Sequence, residues 1–335
     1  MIPVETILHP TDFSEQADHA YQLARLIARE RGARLIVLHV ARIYVDAPAF
    51  VPPEVGSLVL NLPESQADYR AGLEAKLNER IELAAHVGDD RTILGNDPKQ
   101  DVHARELRRP EARLEEGDPV DEILRVADEV ECDLIVMGTH GRSGLGRLLT
   151  GGVTEAVVRR ARCPVLTFRG PESAESWDRS KAILHPTDFS ECSELALQTA
   201  RTIAQRCETR LVLIHVLPTQ TVIFGTVPVS CDVPSIRDSL TAMASRVDGP
   251  DLKHPVEFRL IRGDPASEIL RIAEDEGDRS LIVMGSHGRT GLRHLFMGSV
   301  AEAVLRKAAC PVLTVKAPHP EGAHASLAEH SRSGG

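Results

Sequence analysis

Short apolar runs alternate with amphipathic segments along most of this chain. Leu134-Ile-Val-Met137 is a run typical of a buried parallel strand. Between Val300 and Ala309, apolar residues recur at the spacing of one helix face. In the first half of the chain we expect strands near residues 4–9, 34–40, 108–115, 133–137 and 165–168. Strands that alternate with helices predict an α/β fold, with a parallel sheet covered on both faces.

The pattern occurs twice. The segment Ile7–Ser14 (ILHPTDFS) recurs as Ile183–Ser190, and the run Leu134–Met137 recurs as Leu281–Met284. The two copies are offset by 176 residues early and 147 residues late, so the first copy carries roughly thirty extra residues before Gly117. We expect a first domain at 1–169 with an insertion at about 41–112, a linker at 170–181, a second domain at 182–317 and a disordered tail at 318–335. Inside the insertion, residues 68–85 predict an amphipathic helix.

Local signals fix several boundaries. Ser14 and Ser190 are N-cap candidates for the helices that follow them. Pro119 and Pro265 stand where a first helical position tolerates proline. Proline also opens the last strand of each copy, Cys-Pro-Val-Leu-Thr, which suits a strand at the edge of a sheet. Because unpaired edges invite pairing, we expect the two last strands to pair within the chain.

Composition narrows the class of protein. The chain has 335 residues, 42% of them hydrophobic and 26% charged, which suits two globular domains. The net charge of −10 argues against a nucleic-acid or membrane-surface binder, and no apolar run has the length of a membrane span. Six cysteines show no C-x-x-C spacing, and the first residues carry no secretory signal pattern. We therefore expect a reduced, cytoplasmic protein.

A glycine-rich loop follows the same strand in both copies. It has the spacing G-x2-G-x9-G and leads from a strand into a helix, which is the context of a phosphate-binding loop. Its glycines are Gly138, Gly141 and Gly151 in the first copy, and Gly285, Gly288 and Gly298 in the second. The second copy continues with Ser299, whose hydroxyl can cap the helix or donate to phosphate, whereas the first continues with Gly152. The alternative is a tight turn without a ligand.

Other polar residues lie at predicted strand ends. Asp12 and Asp188 can accept hydrogen bonds from a sugar hydroxyl or a base N–H, or each can close an Asx-turn. Three histidines of each copy end strands, which allows a metal site or simple bonds to local backbone groups: His9, His39 and His140, with His185, His215 and His287. We favour the backbone role, because no acidic residue or cysteine stands beside them at ligand spacing.

Together, the glycine motif, the Pro-Thr-Asp-Phe-Ser turn and the Leu-His-Val strand end resemble the universal stress protein family, twice over. The resemblance implies two tandem open five-stranded parallel sheets with strand order 3-2-1-4-5, related to the adenine-nucleotide α-hydrolase-like folds. It also implies binding of ATP or AMP, with or without Mg²⁺. By matching positions, nine residues of the second copy would bind nucleotide: Pro186, Asp188, Val216, Met284, Gly285, Gly288, Gly298, Ser299 and Val300. Nine residues match in the first copy: Pro10, Asp12, Val40, Met137, Gly138, Gly141, Gly151, Gly152 and Val153. Gly152 departs from the pattern, so we expect the first site to be weaker.

Three classes of function remain in view. The leading hypothesis is a cytoplasmic stress-response module that is regulated by adenine nucleotide and acts through a protein partner. A homodimer is compatible with this hypothesis, and the sequence leaves the oligomeric state open. The alternative is an enzyme of the same fold class, a slow ATPase or nucleotidyl transferase, although no G-x-x-x-x-G-K-(S/T) motif or paired acid and base is visible. A flavin-binding electron carrier is the third class, but only 3% of the residues are aromatic.

Overall fold

The computed structural model describes residues 4–41, 66–87, 109–139, 152–169, 182–218, 233–277, 280–287 and 297–316. The predicted linker at 170–181 and tail at 318–335 lie outside these ranges, as does most of the predicted insertion. The chain divides into two compact units. We call residues 3–157 the N-terminal unit, and residues 158–335 together with 1–2 the C-terminal unit. The predicted domain boundaries stay a prediction.

The N-terminal unit alternates strands and helices in the predicted sequence. Its elements are β1 (Thr6–Pro10), α1 (Glu15–Arg31), β2 (Arg34–Ala41), α2 (Gln66–Val87), β3 (Glu111–Glu116), α3 (Pro119–Glu129), β4 (Leu134–Gly138) and α4 (Gly152–Arg160), the last of which crosses the division between the units. Its strands follow the order β3-β2-β1-β4, and every pairing among them is parallel. The predicted helix at 68–85 is present as α2.

The C-terminal unit contains the whole second copy. Its elements are β5 (Val165–Phe168), β6 (Ala182–Pro186), α5 (Glu191–Arg206), β7 (Arg210–Pro218), α6 (Val233–Val247), β8 (Glu257–Gly263), α7 (Pro265–Glu276), β9 (Ser280–Gly285), α8 (Ser299–Lys307) and β10 (Val312–Val315). The strands of the second copy follow the order β8-β7-β6-β9-β10 in parallel, which is the predicted order 3-2-1-4-5. The α/β fold class is therefore confirmed.

Helix starts follow the local chemistry of the sequence. The side chains of Ser14 and Ser190 accept hydrogen bonds from the N–H groups of Ala17 and Ser193, so both predicted N-caps are confirmed. Pro119 and Pro265 each occupy a first turn behind an aspartate cap. Ser299 is different, because α8 begins at Ser299 itself and its N-cap is Gly298. The suggested capping role of the Ser299 hydroxyl is therefore wrong.

The last strands of the two copies pair within the C-terminal unit, as expected. β10 is antiparallel to β5, with Leu313 opposite Leu166. Two buried threonines strengthen this ladder, since Thr167 Oγ1 donates to Val312 O (3.2 Å) and Thr314 Oγ1 donates to Val165 O (3.1 Å). β10 also pairs with β9 on its other side, so the predicted edge position for this strand is wrong. Proline is tolerated there because Pro311 precedes the strand.

No helix within the described ranges is both long enough and apolar enough to cross a membrane.

Candidate functional site

The strand order of the C-terminal unit reverses beside β6. From β6 the chain moves outward on one side to β7 and β8, and then crosses to β9 on the other side of β6. In open α/β sheets, ligands bind beyond the carboxyl ends of the strands at such a reversal. Pro186 ends β6, Asp188 lies two residues beyond it, and Gly285 ends the adjacent strand β9, so the structure brings these two predicted segments to the same edge of the sheet. Val216 lies in β7 on the far side of β6.

The Pro-Thr-Asp turn has the same geometry in both copies. Asp188 Oδ1 accepts the N–H of Ser190 (3.1 Å), and Phe189 takes a positive φ of 64°. In the N-terminal unit, Asp12 Oδ1 accepts the N–H of Ser14 at 3.0 Å. The Asx-turn interpretation of both aspartates is therefore confirmed. A carboxylate has several acceptor positions, so this turn is compatible with a further bond to a ligand.

Four of the strand-end histidines bind backbone carbonyls. His9 Nδ1 donates to Val136 O and His185 Nδ1 to Val283 O, each at 2.9 Å. Burial lowers the pKa of both imidazoles to about 4, so both are neutral at physiological pH. On the neighbouring strands β2 and β7, His39 Nδ1 donates to Thr11 O (2.8 Å) and His215 Nδ1 to Thr187 O (2.7 Å). These bonds support the backbone role, and within the described ranges no cluster of three His, Cys, Asp or Glu residues has metal-binding geometry.

The two copies differ around the first of these histidines. Ser193 Oγ lies 3.3 Å from His185 Nε2 and 2.8 Å from Thr187 Oγ1. Alanine stands at the matching position, Ala17, in the first copy. His9 Nε2 is buried and has no hydrogen-bond partner among the described residues. In the first copy this buried ring nitrogen therefore lacks the hydrogen-bond partner that Ser193 Oγ provides in the second copy.

Packing explains the first glycine of each motif. A Cβ added at Gly285 would lie 3.0 Å from the backbone carbon of Cys192 and 3.1 Å from the Ser193 nitrogen. At Gly138, a Cβ would lie 3.0 Å from the backbone carbon and oxygen of Gln16. Each strand end thus touches the first turn of the helix that follows the first strand of its copy. The preceding Met137 and Met284 are each 5% exposed, so both residues belong to the core.

The far end of the second motif returns to the end of β9. The N–H of Gly298 donates to Ser286 O (2.9 Å), so the start of α8 lies directly beside the strand. Gly298 has φ −61° and ψ 139°, a conformation open to any residue, so its backbone does not require glycine. Ser299 is exposed and Val300 half-buried. The first N–H groups of a helix lack intrahelical acceptors and can bind an anion.

The matching helix of the first copy presents no hydroxyl at that position. Gly152 is the first residue of α4, is exposed, and has nothing within 4 Å of an added Cβ. Thr154 does not replace the missing hydroxyl, because its buried Oγ1 donates to Gly138 O at 2.8 Å. Val153 is half-buried, and Pro10 ends β1 next to β2, which carries Val40. Gly141, Gly151 and Gly288 lie outside the described residues.

Sequence reasoning missed two features near the sites. The Nζ atom of Lys76 on α2 lies 4.5 Å from the centre of the Phe13 ring. Phe13 directly follows Asp12 in the chain. Ser286 is fully buried and its Oγ lies 2.8 Å from His287 Nδ1. A signal for the second feature was available, because a hydroxyl residue precedes the loop histidine in both copies, as Thr139 and Ser286. No sequence signal connects Lys76 to Phe13.

Comparison with known proteins agrees with this architecture. The model of the universal stress protein family matches residues 3–169 and again 179–316. A universal stress protein of Mycobacterium tuberculosis is 30% identical over 204 residues, a match that covers 59% of this chain and 66% of that protein. A universal stress protein of Mycolicibacterium smegmatis is 28% identical over 317 residues, which is 92% of this chain and 96% of that protein.

The fold also has close neighbours among solved structures. The crystal structure of a universal stress protein from Archaeoglobus fulgidus superposes with a TM-score of 0.59 at 21% identity. The match covers 93% of this chain and 98% of that chain. At this identity the likeness shows the fold alone.

Proposed function

The chain belongs to the universal stress protein family, and we propose that it is an adenine-nucleotide-binding regulatory module of a stress response in the cytoplasm. ATP or AMP, with or without Mg²⁺, would bind at the carboxyl edge of each sheet. The nucleotide would change the state of the protein toward a regulatory protein partner. The proposal does not make the chain a dedicated enzyme.

One observation carries the proposal. The hydrogen bond from Gly298 N–H to Ser286 O places the start of α8 at the end of β9, beside the strand-order reversal. Asp188 stands on the neighbouring strand end, so a hydrogen-bond acceptor and a helix start with anion-binding N–H groups share one crevice. An acceptor suits a base N–H or a ribose hydroxyl, and the helix start suits phosphate. A nucleotide carries both kinds of group.

The same elements predict unequal sites. The C-terminal unit offers Gly298, Ser299 and Val300 at its helix start, whereas the N-terminal unit offers Gly152 and Val153 without a hydroxyl. The family resemblance implies the contacts of Pro186, Val216, Met284 and Gly285, which lie in or at the ends of β6, β7 and β9. For Gly285 the tight contact with α5 is a sufficient structural reason for glycine, so it is the least diagnostic of the site residues.

Nucleotide binding occurs in a related protein. A universal stress protein that is 25% identical over a match to 50% of this chain has been solved in complex with cAMP. That match has a TM-score of 0.33, so the proposal rests on the geometry above.

Titration calorimetry of the intact chain with ATP, AMP and adenosine tests the proposal. We expect binding of ATP and AMP, and a loss of the tighter site in Asp188→Ala and in Gly298→Ala. Thr241→Ala is the control, because Thr241 is exposed on α6, far in sequence from the site residues, and its hydroxyl donates to Arg237 O of its own helix. No binding of any adenine nucleotide would refute the proposal.

Turnover separates the regulatory module from the enzyme alternative. A cradle of N–H groups binds ground state and transition state alike, and uniform binding does not accelerate chemistry. We therefore expect no multiple turnover of ATP. Steady hydrolysis or nucleotidyl transfer that disappears in Asp188→Ala would move the protein into the enzyme class.

A further inference from the structure

Two cationic side chains join the copies at the ends of the helices that follow the glycine loops. Lys316 follows β10, and its Nζ donates to the carbonyl oxygen of Arg159 near the end of α4. Arg169 follows β5, and its guanidinium donates to Arg306 O near the end of α8 at 2.9 Å. All four residues belong to the C-terminal unit. The same offset of 147 residues relates the two cations and the two acceptors, so the contact is reciprocal.

The chemistry of helix ends explains these bonds. The last carbonyl groups of a helix have no intrahelical donor, and the negative end of the helix dipole attracts a cation. Lys316 and Arg169 are both half-buried. Burial lowers the pKa of Lys316 to about 8, so its amine remains mostly protonated at neutral pH and donates as a cation. Each copy therefore caps the helix of the other copy with a charge-assisted hydrogen bond.

Backbone bonds connect Lys316 to the start of α8. Val315 precedes Lys316, and its carbonyl accepts the N–H of Ser286 at 2.9 Å. Ser286 O in turn accepts the N–H of Gly298, also at 2.9 Å. A continuous path of bonds thus leads from the start of α8, through the end of β10, to the end of α4. The other end of α4 begins at Gly152, where the proposed function places phosphate in the first copy.

We propose that Lys316 and Arg169 couple the two nucleotide sites, so that nucleotide at one site strengthens binding at the other. Phosphate at the start of α8 holds Gly298 and Ser286 in place, and with them the end of β10 from which Lys316 caps α4. The second nucleotide then meets a helix that is already ordered, so its binding loses less conformational entropy. Such coupling is reciprocal by thermodynamic linkage. The inference rests on the proposed function and adds its regulation, with both cations as positioning residues that act through the helices.

Hydrogen exchange of the intact chain with and without ATP tests the coupling. Gly152→Asp provides the background, because a Cβ added at Gly152 meets nothing within 4 Å and the new carboxylate repels phosphate from the start of α4. ATP then occupies the C-terminal site alone. We expect ATP to slow exchange in α8 directly, and to slow it by about fivefold in the last two turns of α4 through the coupling.

Substitutions of the two cations in the Gly152→Asp background separate coupling from simple capping. Lys316→Met should abolish the slowing in α4 and leave the slowing in α8, whereas Lys316→Arg, which still donates as a cation, should keep both. Lys307→Met is the matched control and should keep both, because Lys307 is exposed on α8 and carries the same charge. Arg169→Met removes the other link, so it should also abolish the slowing in α4. It decides the question if thermal unfolding shows that Lys316→Met does not fold.

The two helices report on different claims. Slowing in α4 that persists in both methionine variants of the linking cations overturns the coupling, as does an equal loss of slowing in Lys307→Met. If ATP slows α8 and never α4, the proposed function stands and only the coupling fails. If ATP slows neither helix, in the wild type as well as in Gly152→Asp, the coupling and the proposed function fail together.

Discussion

His9 and His185 are buried near the end of the first strand in each copy, and burial lowers the pKa of each to about 4. An unfolded histidine titrates near 6.5, so the unfolded chain binds more protons than the folded one between pH 6.5 and about 4. Stability must therefore fall as the pH falls through this window. The shift corresponds to roughly 3 kcal/mol for each histidine.

We predict that His9→Asn flattens this dependence. The asparagine amide can still donate to Val136 O, as Nδ1 does, but it does not titrate. The free energy of unfolding of wild type and variant should be compared by urea titration from pH 7 down to about 4.5, above the ordinary carboxylate range. Carboxylates contribute equally to both proteins, so the difference isolates His9. Parallel curves would contradict the assignment.

Gly138 and Gly285 give a second prediction at the residue scale. Gly285→Ala should destabilise the chain by roughly 1–3 kcal/mol, because the new Cβ would press against the backbone of Cys192 and Ser193. Gly138→Ala should do the same through Gln16. Gly152→Ala is the matched control, since its Cβ meets nothing, and it should cost no stability. Equal thermal stability of all three variants would refute the packing role.

At the scale of elements, β10 shows how two hydroxyls support one strand pair. Thr314 and Thr167 each donate to a carbonyl of the opposite strand while both side chains are buried. Thr314→Val keeps the shape but removes one such bond, so we predict a loss of about 1 kcal/mol. Exposed Thr241→Val on α6 is the control, and urea unfolding is the measurement. A loss no larger than in the control would contradict this account.

The two helix starts after the glycine loops predict an asymmetry in ATP affinity. Ser299→Gly should weaken the C-terminal site by about tenfold or more, because a hydrogen bond to a charged phosphate is lost. Gly152→Ser should strengthen the N-terminal site, since the exposed position has room for the side chain. Calorimetry on the single and double variants decides this. If Gly151→Ala removes the tighter site and Gly298→Ala leaves it intact, the assignment is wrong.

The helices and strands could be predicted from local sequence signals. Features that depend on contacts between residues far apart in the chain could not. Apolar runs and the serine and proline signals located the strands and helix starts, because caps and buried strands depend on neighbours in the chain. The clash that requires Gly285 involves Cys192, far away in the sequence, so the glycine motif alone could not separate packing from ligand binding. The place of β10 between β9 and β5 is equally non-local, which is why Pro311 suggested an edge.

At the scale of the whole molecule, the chain carries two copies of one α/β fold, and we propose a nucleotide site in each. The turns at Asp12 and Asp188 are nearly superimposable in their bonds, and the strand order of the second copy is the predicted one. The two copies differ at the start of the helix after the glycine loop, where Ser299 corresponds to Gly152. They also differ in the core, where Ser193 corresponds to Ala17. Under the proposed function, these differences predict one tighter and one weaker site, which would fill at different nucleotide concentrations.

The most direct test of the central claim is the identity of the small molecule that copurifies with the intact chain. Protein purified rapidly without added nucleotide is denatured, and the released ligand is identified by chromatography and mass spectrometry. We predict adenine nucleotide, ATP or AMP, at a stoichiometry that falls in Gly298→Ala and not in Thr241→Ala. A released flavin, or no ligand together with no uptake of added ATP, would contradict the account.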